Sequence, residues 1–144
     1  MASNSTMKSR LAVSSAETNS QSLEPETIDR AAKLFRKHGA IWLENVLPVA
    51  LVKKLAKAYQ QTYTSATAAQ LKRRHAVVGD QRFMITLTIE PPFNTPKLYA
   101  NGILSQVLAS LLGPQFSISS FGSVVTLPGA DDQPIHFDLS LIHI

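Results

Sequence analysis

The sequence of 144 residues is long enough for one domain with a buried core. It contains no cysteine, which excludes disulfide bonds and thiolate metal sites and agrees with a reducing, cytoplasmic location. The charge is uneven: residues 1–75 carry twelve basic and five acidic residues, a net +7, whereas residues 76–144 carry two and five, a net −3. We assign the basic excess to the solvent faces of helices, so we expect no nucleic-acid partner. We also expect no membrane partner, because no apolar run approaches the roughly 18–20 residues needed to span a bilayer.

The chain begins with a segment that is rich in small polar residues. Residues 1–25 show no apolar periodicity and are predicted to form a disordered tail. Residues 26–38 then place Ile28, Leu34 and Phe35 on one face of a helix, which Gly39 is suited to end. The short apolar run 40–44 predicts a strand.

A second helix is predicted to open at Pro48 and to fray within the basic run 72–75. The strict alternation of RFMITLTI, residues 82–89, predicts a strand, which the following prolines would end. Residues 96–112 predict a third helix, ended by Gly113-Pro114. Its apolar residues are expected to be buried: Leu104, Val107, Leu108, Leu111 and Leu112.

The last third of the chain has the pattern of strands. Segments 115–121, 123–127 and 134–138 are strand-like, and 128–132 reads as a turn. Helices therefore precede strands, with no pattern typical of parallel β-α-β units. We expect an α+β, β-rich fold in which a helical segment precedes a mainly antiparallel sheet.

The candidate metal ligands are His136 and Asp138. Side chains two apart in a strand project from the same face, so both could reach one ion. An imidazole and a carboxylate are two of the three ligands of the facial triad that binds Fe(II) in non-haem oxygenases. The pair alone is a weak signal, because a surface histidine beside a strand-end aspartate gives the same pattern. His143 is not assigned as the third ligand, and His38 and His75 are expected at helix ends.

Three segments together resemble the phytanoyl-CoA dioxygenase family. They are LFRKHGAIWLENVLPVALVKKLAKAY (34–59), GDQRFMITLTIEPPFN (79–94) and SVVTLPGADDQPIHFD (123–138). The resemblance covers about residues 26–138, assigned as the N-terminal part of an oxygenase domain. It implies a double-stranded β-helix, the jelly-roll barrel of cupin-like enzymes, which would be incomplete here.

The resemblance also implies a function. Members of the family are Fe(II)- and 2-oxoglutarate-dependent dioxygenases, which use dioxygen to hydroxylate small organic metabolites or acyl derivatives. By the match, His136 and Asp138 become Fe(II) ligands. The distal histidine and the arginine that binds 2-oxoglutarate have no counterpart in residues 1–144, so no residue is assigned a catalytic or 2-oxoglutarate-binding role. Ser123, Val125 and Thr126 are candidates to line the pocket, and Arg82 is expected to face solvent.

The final segment LSLIHI, residues 139–144, has a different origin in our interpretation. It resembles the translation of a transposon mosaic-end sequencing adapter, so we expect the native sequence to diverge after Asp138. The fragment is then expected to be inactive. The alternative function is a non-catalytic cupin-like binding module in which His136 and Asp138 are remnants.

Overall fold

The structure is a computed structural model that describes residues 9–64, 67–118 and 121–134. It is a mixed helical and sheet chain, in agreement with the predicted α+β class, but the expectation of a β-rich fold is wrong, since the structure is 47% helical and 17% strand. Two compact units are present. The first unit comprises Met1–Thr64 and Thr88–Phe121, and the second unit comprises Ser65–Leu87 and Gly122–Ile144. Within the described ranges, no helix is long and apolar enough to cross a membrane.

The first unit starts with a small parallel sheet. Strand β1, Arg10–Ala12, pairs with strand β2, Trp42–Glu44, in the register Leu11 to Leu43. This parallel pair was not predicted, because the sequence showed no β-α-β pattern and indicated a mainly antiparallel sheet. An ion pair at 2.8 Å joins Arg10 to Glu44, and the Arg10 guanidinium lies over the Trp42 ring.

The prediction of a disordered tail is wrong for residues 9–24. Helix α1, Ser15–Ser20, follows β1, and the side chains of Leu11, Val13 and Leu23 are buried. Helix α1 begins with a capping box: Ser14 and Glu17 each use the side chain to satisfy the other's backbone N–H. The tail was predicted because a three-residue strand is too short to show a period, and its stability depends on a partner strand about thirty residues away.

The remaining helices of the first unit lie where apolar stripes predicted them, but two of the predicted helices are each divided. Their bounds are Pro25–His38 for α2, Val49–Tyr59 for α3, Pro96–Tyr99 for α5 and Gly102–Leu112 for α6. Helix α3 continues as a π-helical turn over Gln60–Thr64, so the predicted helix from Pro48 to the basic run is not continuous. The predicted third helix is divided between α5 and α6, because Asn101 caps α6 by accepting a hydrogen bond from Leu104 N.

The core of the first unit joins distant parts of the chain. It consists of small and branched apolar side chains: Leu11, Val13, Leu23, Ala31, Ile103 and Val107. Helix α6 approaches the N-terminal segment closely, since a Cβ on Gly102 would lie 2.4 Å from the carbonyl oxygen of Gln21. The Gln106 amide joins the same two segments, accepting from Leu23 N and donating to Gln21 O.

The second unit contains helix α4 and a three-stranded antiparallel sheet. Helix α4 spans Ala68–Arg74, and the strands are Ala76–Gly79 for β3, Arg82–Thr86 for β4 and Gly122–Thr126 for β5, in the order β3-β4-β5. The antiparallel pairing agrees with expectation, but β4 ends three residues before the predicted end. Residues 115–118 form no strand, contrary to the prediction, and β3 was not predicted.

Candidate metal centre

The two predicted Fe(II) ligands, His136 and Asp138, lie outside the described residues, as does the segment 139–144. The structure describes the strand and the loop that lead to them, as far as Pro134. In the described ranges, no three His, Cys, Asp or Glu side chains are grouped so as to hold a metal ion.

Strand β5, which precedes the candidate ligands, is paired along its whole length with β4. Ser123 lies opposite Ile85, and Val125 lies opposite Phe83. Opposed residues of antiparallel strands share a face, so these four side chains belong to one face of the sheet. Phe83 and Ile85 are buried, with exposures of 4% and 0%.

The three residues of β5 predicted to line a pocket do not share one face. Ser123 and Val125 are half-buried on the face of Phe83 and Ile85. Thr126 lies opposite Arg82 and is exposed, which places it on the other face of the sheet. Adjacent positions of a strand point in opposite directions, so these three candidates cannot line one side of the sheet together.

The loop after β5 is a turn whose start is fixed to the sheet. Leu127 N donates to Gln81 O at 2.9 Å, and Ala130 N donates to Leu127 O at 3.2 Å. Pro128 and Gly129 occupy the centre of this turn, and the φ of +87° at Gly129 is the left-handed value that a type II turn requires at its third position. The turn predicted for this segment is thus confirmed.

Arg82 has a structural partner instead of facing only solvent. Its Nη2 donates to the carbonyl oxygen of Asp131 at 2.8 Å, and the residue is half-buried. The side chain passes close to Gly79, where an added Cβ would lie 2.9 Å from Arg82 Nη1. Arg82 therefore holds the loop that leads to His136, a role that the sequence analysis missed.

The other two described histidines are at helix ends, as expected. His38 is the last residue of α2 and is exposed, with Gly39 as a left-handed C-terminal cap. His75 caps the C-terminus of α4 and donates its backbone N–H to Leu71 O.

Glu17 has the most strongly perturbed titration described for the structure. The pKa of Glu17 is lowered to about 2 by hydrogen bonds, first from the Ser14 hydroxyl and then from the backbone N–H groups of Ser14 and Glu24 and the Thr27 side chain. A perturbed carboxyl can mark an active site. Here every one of these partners is a donor at the start of α1 or α2, so we assign Glu17 a structural role.

A large apolar cavity lies in the first unit and was not predicted. It has a volume of about 560 Å³, and ten of its eleven lining residues are apolar. Leu104 was expected to be buried, but it is 40% exposed and lines this cavity together with Phe35, which is 38% exposed. Leu112 is also exposed, at 68%, because α6 is apolar on more of its circumference than the core can cover.

No protein-family model matches the chain. The likeness to the phytanoyl-CoA dioxygenase family therefore depends on the three quoted segments, their order and their spacing. The His-x-Asp pair falls at the end of the third segment, directly after the loop that Arg82 holds.

Proposed function

We propose that residues 26–138 are the N-terminal part of a non-haem Fe(II)- and 2-oxoglutarate-dependent dioxygenase, with His136 and Asp138 as two of its Fe(II) ligands. The sheet β3-β4-β5 would then be part of a double-stranded β-helix. The fragment itself is proposed to be inactive, since a third protein ligand and the 2-oxoglutarate arginine have no assigned residue.

One structural observation supports this proposal above the others. The loop before the His-x-Asp pair is held by two hydrogen bonds at the start of antiparallel strand β4. Leu127 N donates to Gln81 O, in the turn just before β4, and Arg82 Nη2, on the first residue of β4, donates to Asp131 O. A facial metal site needs ligands held by rigid neighbouring structure, because small displacements of the coordinating side chains weaken metal binding. A loop anchored at both its start and its middle supplies this kind of support.

The donor chemistry also fits the metal. A neutral imidazole and a carboxylate are nitrogen and oxygen ligands of the kind that Fe(II) takes in oxygenases, and the sequence offers no thiolate that would favour zinc. When bound, Fe(II) would supply the coupled reaction in which a substrate C–H, 2-oxoglutarate and dioxygen become an alcohol, succinate and carbon dioxide. The part of His136 and Asp138 would be to hold the ion and leave positions open for the reactants.

The test has two parts. The first is the native coding sequence beyond codon 138, where we expect a distal histidine followed about ten residues later by an arginine. The second is succinate release from 2-oxoglutarate by the complete protein with Fe(II). His136→Ala and Asp138→Ala should each lower the rate by at least 100-fold, since loss of a metal ligand removes the site.

His38→Ala is the matched control, because His38 is exposed at the end of α2 and should leave the rate unchanged. A complete protein that lacks the downstream histidine and arginine would instead be the cupin-like binding module. Succinate release by the 144-residue chain itself would contradict the proposal that the fragment is inactive.

A further inference from the structure

We propose that the large cavity of the first unit is a binding site for a single-chain amphiphile with one anionic head, of the class of medium-chain carboxylates. Every residue that lines the cavity belongs to the first unit, and none of them is a proposed metal ligand. The proposal does not depend on the oxygenase function.

The floor of the cavity is formed by side chains of the packed core. Val107 belongs to the core cluster and is only 4% exposed, and Ile41, Leu43, Val46 and Leu111 pack against that cluster. These residues come from helix α6 and from the segment around β2. The floor is therefore part of the most densely buried region of the first unit, and we expect it to keep its shape when a ligand enters.

The mouth of the cavity exposes large apolar side chains. Phe35 of α2 and Leu104 of α6 keep 38% and 40% of their surface accessible to solvent. An apolar chain that covers both would gain roughly 25 cal/mol for each Å² removed from water. The volume of about 560 Å³ lies within the range of about 300–1,000 Å³ that is typical of small-molecule sites.

Lys97 is the charged residue that determines which head group of a ligand the cavity would favour. Lys97 is the single polar residue among those that line the cavity, and it is exposed, so its ammonium lies at the rim. Within the described residues, Lys97 makes no ion pair, in contrast to Lys33, which pairs with Asp29. An apolar cavity with one unpaired cation at its rim is complementary to a monoanionic amphiphile and disfavours a cationic one.

The experiment is calorimetric titration of the 144-residue chain with sodium decanoate below its micelle concentration. Decanol and decyltrimethylammonium are titrated in parallel. We expect saturable one-to-one binding, with decanoate at least tenfold tighter than either analogue. Over a series from hexanoate to tetradecanoate, affinity should rise by up to about fourfold per methylene and level off when the cavity is full.

Three variants locate the site. Lys97→Gln should remove the preference for decanoate over decanol while leaving decanol binding unchanged. Lys53→Gln on α3 is the matched control and should change neither.

Leu108→Trp should fill the cavity and weaken binding of all three ligands by at least tenfold. Leu104→Gln alters an exposed position and so preserves folding, and it should weaken all three ligands about fivefold or more, whereas Leu112→Gln on the same helix should not.

Several results would overturn the proposal. Absence of saturable binding, or dimerisation of the chain that decanoate does not affect, would show that this surface is not an amphiphile site. Equal affinity for decanoate and decanol in the unsubstituted chain would remove the assigned role of Lys97. Decanoate binding should persist in the His136→Ala, Asp138→Ala double variant, so its loss there would show that binding requires more than the lining residues of the first unit.

Discussion

Ile103 and Ala31 of the first unit have no surface accessible to solvent, whereas Met84 and Val124 in the sheet of the second unit expose 48% and 55% of theirs. Met84 lies opposite Val124 in the register, so the two form one apolar patch on the face of the sheet that Phe83 and Ile85 do not share. The first unit thus has an interior formed by several elements. In the second unit, one face of the sheet carries the buried Phe83 and Ile85, and the other carries this exposed apolar patch beside Arg82 and Thr126. An apolar patch on a sheet is usually covered by another layer of the fold.

The sharpest test of the first unit's interior is Leu11→Ala. Leu11 is 3% exposed and belongs to the core cluster, so its truncation should lower the free energy of unfolding by about 2–5 kcal/mol. Urea denaturation followed by circular dichroism measures the loss. Leu112→Ala is the control, and its effect should stay within about 0.5 kcal/mol, because Leu112 is 68% exposed. Equal effects of the two substitutions would mean that residues 9–24 do not pack as described.

A smaller effect is expected from Glu17→Gln, which removes the charge but preserves the shape of the side chain. Glu17 accepts from Ser14 Oγ at 2.7 Å and from Glu24 N at 3.0 Å, so the free energy of unfolding at pH 7 should fall by about 1–2 kcal/mol. Glu26→Gln in the exposed first turn of α2 is the matched control and should have little effect.

The lowered pKa of Glu17 also predicts how the stabilising effect of its side chain depends on pH. The pKa of Glu17 is lowered from 4.5 to about 2 on folding, so its stabilising contribution is complete above about pH 4.5 and is lost as the pH falls through 2. The difference in urea midpoint between the unsubstituted chain and Glu17→Gln should therefore shrink between pH 4.5 and 2. A difference that stays constant over this range would show that the ionised carboxylate is not what stabilises the start of α1.

The smallest effect on stability is expected on the exposed face of the second unit. The double substitution Met84→Thr, Val124→Thr replaces two exposed apolar side chains with a residue that favours strands, so the free energy of unfolding should change by less than about 0.5 kcal/mol. Self-association, measured by sedimentation velocity, should decrease markedly, since the patch is removed. Unchanged association would indicate that another surface, such as the edge of the sheet, drives it.

The predictability of each element from sequence depended on how far its stabilising partners lie along the chain. Helix α2 was predicted nearly residue by residue because its stripe and Gly39 are local signals. Strand β1 was missed because its partner is β2, although the Ser14-x-x-Glu17 capping box that follows it is a recognisable helix start. The break between α3 and α4 likewise had a local signal, the Thr67-x-x-Gln70 box.

For the candidate sites, too, residues that depend on neighbours in sequence could be predicted, and those that depend on distant parts of the chain could not. His136 and Asp138 could be proposed because a strand period places i and i+2 on one face. The role of Arg82 could not, because it depends on a loop 49 residues away in sequence. The cavity could not be predicted either, since an apolar stripe does not reveal which of its residues the fold leaves uncovered, as Leu104 and Val107 of the same helix illustrate.

The contact of Gly102 with Gln21 has a consequence for the order in which the chain acquires its structure during synthesis. The interior of the first unit needs Leu11 and Val107 together, so it cannot close until helix α6 has left the ribosome. At about 5–20 residues per second, Leu11 is made roughly 5–20 s before Val107. Throughout that interval the nascent N-terminal segment is without its packing partner and is accessible to chaperones and proteases.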